Sequence, residues 1–160
     1  MPRLCLLVEA AGYYNEFVTQ GRTEFAPKQA QLQNNVAMAY LKSNRFSEAL
    51  VEIDRAEAGY RTLFAREPTA YSAPLVNCLE SKAQILAELQ SWPEVKTLSA
   101  EGLRLLHTAR AQSPGAYAKV VDILTSLYLR ACKELHQRPD AKLLHNGKRA
   151  GLLQWLFRRA

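Results

Sequence analysis

The side chains of this 160-residue chain able to exchange protons near neutral pH are His107, His136 and His145, and its thiols are Cys5, Cys78 and Cys132. One combination among them could do chemistry. Cys132 and His136 stand four apart, which would put both on one face of a helix, and Asp140 follows, so a thiolate, an imidazole and a carboxylate could meet a metal ion or pair for nucleophilic attack. Two such residues on one helix recur by chance, however, and the contexts that make the spacing specific, HExxH or paired CxxC, are absent. There is no GxSxG, and the seven glycines are scattered singly instead of cradling a phosphate before a helix. The sequence therefore predicts no catalytic residues, no metal and no cofactor, with an enzyme or metal site around Cys132 and His136 as the lesser alternative.

The elements that would carry these residues follow a repeat. Segment 66–72 (REPTAYS) returns as 112–118 (QSPGAYA), 46 residues on. The same offset lays 45–49 (RFSEA) over 91–95 (SWPEV) and 137–141 (QRPDA). Near the N-terminus, Ala11, Gly12 and Tyr13 resemble Ala58, Gly59 and Tyr60 at an offset of 47. Each period reads as two helices. The first, A, is expected over about 27–43, 73–90 and 118–137, from apolar residues at three and four spacings such as Val76, Leu79, Ala83 and Leu86. The second, B, is expected to start at Ser47, Pro93 and Pro139, each followed by an acidic residue suited to a helix N-terminus, and to end before Pro68 and Pro114. Nothing alternates with a period of two, so the chain reads as all-α.

Residues 35–56 (NVAMAYLKSNRFSEALVEIDRA) carry a family resemblance. They are similar to a tetratricopeptide repeat: a small residue, an aromatic three later, a turn with a second aromatic, then Ala49, Ile53 and Ala56. The second copy keeps Ala83, Leu86, Trp92, Val95 and Gly102 but has Ser99 at the large apolar position, and the third keeps the turn and the apolar pattern. The period exceeds the family's shortest form by about 12 residues. In this it resembles the long-helix repeats of kinesin-light-chain-like and bacterial multi-repeat proteins.

The resemblance implies a right-handed superhelix of antiparallel helix hairpins, an α-solenoid of about seven helices in one domain over 1–160. Its parts would be a half repeat with a lone B helix (1–22), repeats over 23–68 and 69–114, and a degenerate third (115–160) with a basic closing helix. It implies a non-catalytic scaffold or regulatory, sensory role in which a peptide or protein lies in a concave groove lined by the A helices. The polar A-helix residues expected there are Gln31, Asn34, Asn35 and Met38, then Asn77, Glu80, Ser81 and Gln84, then Ser126 and Arg130. The family's clamp for a terminal carboxylate needs Lys and Asn on the first A helix, where this chain has Asn34 and Met38.

Charge and composition narrow the partners. Of the formal charge of +6, the last 28 residues hold seven basic against two acidic residues. A nucleic-acid binder would spread basic charge along its recognition surface, and in 147–160 only Lys148, Arg149, Arg158 and Arg159 cluster, with few aromatics between them, so neither nucleic acid nor an anionic membrane is expected, although a contact with either through that amphipathic segment stays as the alternative function. Trp155 and Phe157 there, and Leu4, Leu7 and Val8 on the lone first helix, are the expected docking residues for a second copy or a longer array. Three cysteines at unrelated spacings, an apolar run at the start too short for a signal peptide and no membrane-spanning stretch point to a cytoplasmic protein.

Overall fold

A computed structural model describes residues 2–110 and 117–144. Among them are seven α-helices and no strand: α1 (Pro2–Thr19), a single 3-10 turn at Thr23–Phe25, α2 (Ala26–Lys42), α3 (Phe46–Arg66), α4 (Pro68–Glu88), α5 (Trp92–Arg110), α6 (Ala118–Glu134) and α7 (Ala141–Leu144). Helices α1 to α6 each pack on their chain neighbours, α7 rests on α5, and α4 also touches both α2 and α6, so the molecule is a stack with α4 at its centre.

The 46-residue period reappears in the backbone. Asn44, Gln90 and His136, spaced at that interval, are the three non-glycine residues with positive φ (56°, 58° and 52°) among those described. Each closes an A helix in the same way. The Asn44 amide donates to the Leu41 carbonyl and the Arg45 amide to that of Tyr40; Gln90 and Ser91 repeat the pattern on Ala87 and Leu86, and His136 and Gln137 on Lys133 and Cys132. This paired closure is the Schellman turn, which satisfies the last carbonyls of a helix. α3 starts at Phe46 with no side-chain cap, so Ser47 lies inside it, and Glu48 is held in its first turn by Arg45.

Two expected boundaries move. α4 begins at Pro68, five residues before the expected Ala73, because a proline that stops one helix is also pre-organised for the first position of the next. Glu67 alone joins α3 to α4. Pro74 then lies within α4, where its missing N–H deprives the Ala70 carbonyl of its helical donor. α6 stops at Glu134, so His136 is not on it. The turn at Pro114 and the expected closing helix 147–160 lie outside the described residues.

Small residues bring the helices together. Ala37, Ala49, Ala56 and Ala83 are fully buried, Ile53 and Leu86 fill the spaces between them, and Tyr40 and Trp92 pack against the same cluster. A second cluster joins Leu103, Leu106, Val121, Leu124 and Tyr128. A third sets Ala11 of α1 with Leu32 and Val36 of α2. Here the packing corrects the register at the N-terminus. Tyr13 is exposed whereas Tyr60 is buried, so they are not equivalent; an offset of 46 instead pairs Tyr60 with Tyr14, which packs on the third cluster.

Candidate functional site

Laid out at the 46-residue interval, eight of the expected groove residues fall into three rungs across α2, α4 and α6, which Ile123, not among those expected, completes. Gln31, Asn77 and Ile123 make one, Asn34, Glu80 and Ser126 the middle one, and Met38, Gln84 and Arg130 the third. Every member is exposed or half-exposed; on α2 and α4 the residues one position before the middle rung, Gln33 and Leu79, are buried, whereas on α6 Thr125 is not. The outward stripe is therefore narrow on α2 and α4 and broader on α6. Asn35 is exposed as well. Ser81 corrects the expectation: only 6% of it is exposed, because α4 is covered by four other helices and retains room for little more than one outward residue per turn.

Gln84 donates to the Glu80 carboxylate one turn away. Burial pushes the Glu80 carboxyl above its ordinary range, and the Gln84 bond and the Lys119 charge on α6 only partly oppose this. Asn34 Oδ1 is buried and meets no donor among the described residues. On α6 the Ser126 hydroxyl donates to the Asp122 carbonyl at 2.8 Å, and Arg130 lies 4.8 Å over the Trp92 ring. Lys119, Asp122, Ile123, Ser126 and Leu127 line an open cavity of about 530 Å³. Such a surface offers amide and hydroxyl groups, the charges of Lys119 and Asp122, and a short apolar wall of Ile123 and Leu127.

The thiol and imidazole do not converge. Cys132 is fully buried in the second cluster, and burial raises its thiol. His136 is exposed beyond the end of α6, so the four-residue spacing no longer places it on the cysteine's face. No group of three His, Cys, Asp or Glu residues suited to a metal occurs among the described residues. The side chain of His107, all of His145, and Trp155 and Phe157 with the rest of 147–160 lie outside them. On α1, Leu7 packs on the third cluster, Leu4 is half-buried and Val8 is exposed. The large apolar side chains turned most outward there are instead Leu6 and Tyr13.

A charge network on the far side of α4 escaped the sequence reading. Lys82 reaches Glu57 at 2.6 Å and Asp54 at 2.8 Å, and Arg61 joins Glu57 to Glu101, both at 2.7 Å, so five charges tie α3, α4 and α5 together. Burial alone would raise the Glu57 carboxyl, but the bonds from Lys82 and Arg61 outweigh it and hold the carboxyl low. The nearby Cys78 thiol is buried and pushed up to about 12, which keeps it protonated and inert. The signal was present in the repeat. Lys82 stands where the flanking copies have Val36 and Tyr128, and Glu57 where they have Ala11 and Leu103.

No family model, curated protein or solved structure matches the chain. No helix among the described residues is long and apolar enough to cross a membrane.

Proposed function

We propose that the chain is a non-catalytic protein–protein interaction module: a right-handed superhelix of antiparallel, tetratricopeptide-like helix hairpins that holds a peptide or protein segment in a groove lined by α2, α4 and α6. Its role is that of a scaffold or regulatory part within a cytoplasmic assembly. The observation that carries this reading is the alignment of three equivalent, outward-facing rungs on alternate helices. The contacts of α4 with α2 and α6 support the reading, since they bring together the helices that carry the rungs. Asn and Gln side chains both donate and accept, so the rungs match the backbone of an extended or helical peptide.

Peptides selected by display against the full chain test the reading, with their footprint mapped by amide chemical shifts. Binding is expected to move signals of α2, α4 and α6 and to be lost in an Asn77→Arg, Ser126→Arg double variant that keeps its helical circular dichroism. A footprint on α3 and α5, unchanged by that variant, overturns the proposal.

A further inference from the structure

The outward side of α1 carries an apolar stripe. Leu6 and Tyr13 are the most exposed large apolar side chains among the described residues, at 65% and 62%. With Ala10 and Phe17, both half-buried, they follow one another at spacings of four, three and four, which draws a single line along a helix. The equivalent helices show what such a line receives. At one and two intervals of 46 residues, Leu6 and Tyr13 correspond to Glu52 and Gly59 on α3 and to Leu98 and Leu105 on α5. A methyl on Gly59 would lie 3.2 Å from Ala30, so on α3 this side holds the preceding helix, α2. Leu98 and Leu105 likewise pack into the first cluster, which includes Leu75 and Leu79 of α4. The stripe on α1 therefore stands where a helix docks elsewhere in the stack.

Charge narrows the occupant. From Leu4 to Gly21 the charged residues are Glu9 and Glu16, seven apart and both exposed along the outer edge of the stripe. Arg22, the next cation, is taken up over the Phe17 and Phe25 rings and by Glu24. Charges beside an apolar seam select its partner, and a second α1 would set these carboxylates against their own kind. A basic amphipathic helix fits instead, and the chain's own segment 147–160 has that composition: four basic residues, no acidic one, and five large apolar residues between Leu152 and Phe157. The 46-residue interval lays Lys148 and Arg149 over Ala56 and Glu57 of α3 and over Gly102 and Leu103 of α5, all buried. Two adjacent cations at such positions suit the segment poorly to closing its own stack. The described residues end at Leu144, on α7 against α5, whereas α1 lies beyond α2 at the other end.

We infer that residues 147–160 dock on the Leu6 and Tyr13 stripe of a second copy, with Trp155 and Phe157 as the apolar anchors and the basic residues facing Glu9 and Glu16. Copies then join head to tail, a heterologous contact that leaves each pair one free stripe and one free segment. The stripe belongs to none of the groove helices, so this contact is independent of peptide binding there.

Sedimentation velocity of the full chain over a concentration series is the test. The parent is expected to form oligomers that grow with concentration. A head variant, Leu6→Arg with Tyr13→Arg, and a tail variant, Trp155→Ser with Phe157→Ser, should each remain monomeric with the parent's circular dichroism. Mixed one to one, the two should form a dimer and stop there, since the mixture keeps one sound stripe and one sound segment per pair. Glu9→Lys with Glu16→Lys should weaken the parent's association about tenfold, and Glu88→Lys, an exposed charge change on α4, should leave it unchanged. A parent that is monomeric throughout, or variants that do not combine on mixing, overturns the inference. So does a dimer that the head variant loses and the tail variant keeps, which would be α1 against α1. Association indifferent to the Glu9 and Glu16 reversal overturns the choice of the basic segment as occupant.

Discussion

Replacing Lys82 by Met and Glu57 by Leu, singly and together, tests whether the charged pair at the centre of the stack substitutes for an apolar one. In the flanking copies the equivalent positions are Ala11 with Val36, and Leu103 with Tyr128, each pair inside one apolar cluster. Stranding one member of a buried pair costs about 3–5 kcal/mol when nothing else compensates it. Two facts lower that figure for Lys82→Met: Glu57 keeps its bond to Arg61, and the Lys82 side chain is 20% exposed. A loss of about 2 kcal/mol remains. Glu57→Leu leaves Lys82 on Asp54 and Arg61 on Glu101, so its loss is smaller, about 1 kcal/mol. The double variant restores the apolar pairing of the neighbouring copies and should fall within about 1 kcal/mol of the parent, a coupling of about 2 kcal/mol. Urea unfolding at a common slope, followed by far-UV circular dichroism, measures all four proteins. Losses that simply add, with the double variant the least stable by about 3 kcal/mol, would refute the reasoning. Acid gives an independent check. Because the Glu57 carboxyl is held below its ordinary value, its contribution is present above that value and is lost as pH falls through the depressed one. The double variant should lack that part of the acid sensitivity.

Other substitutions test the rest of the packing. Gln90→Gly relieves a left-handed backbone at 58° and should stabilise by about 0.5–1 kcal/mol in urea, the strain of an L-residue there exceeding the entropy cost of glycine; a loss would mean that the Gln90 side chain has a role of its own. Ser99→Ala removes a fully buried hydroxyl with no partner among the described residues and should stabilise by about 1 kcal/mol, measured by the same titration. Gly102→Ala would bring a methyl to 2.8 Å from Leu124 Cδ1, so despite the better helix propensity of alanine it should lower the midpoint, by about 1 kcal/mol. Glu80→Gln should stabilise the protein at neutral pH by less than about 1 kcal/mol. Since the Glu80 carboxyl is raised, its ionisation costs stability above the raised value and nothing below the ordinary one, so the gain should vanish as a pH series of melting temperatures enters acid.

Most of the helices were legible because their apolar spacing is regular and the turn before each B helix is spelled out by Arg45 to Ala49 and its two copies. The closures at Asn44, Gln90 and His136 were not, because no glycine marks them; tertiary packing and two backbone hydrogen bonds impose the left-handed residue in each case. Pro68 misled for a physical reason, since the same fixed φ both ends α3 and begins α4. The rungs on the A helices were legible from the period once the register was set, and Ser81 was not, because one polar residue between two outward ones looks the same whether or not a fourth neighbour covers it. Lys82 and Glu57 could have been found by the same alignment: a charge at a position that is apolar in both neighbouring copies has to be paired or pushed out to water.

The two polar features of α4 bear on each other. Lys82 and Glu80 are two residues apart and so lie on widely separated faces of one helix, the first tied to α3 and the second opening towards α6. Apolar contacts alone are non-directional and tolerate a sliding or rolling helix, whereas ion pairs at 2.6 and 2.8 Å fix an orientation. With Lys82 anchored on Asp54 and Glu57, α4 cannot roll without stranding a largely buried charge, and so Asn77, Glu80 and Gln84 are held facing outward. The first and third copies use apolar residues at these positions. The polar pair therefore sits on the helix whose rotation would alter the proposed groove on both sides at once, which gives a charged core position a purpose that its small net contribution to stability does not.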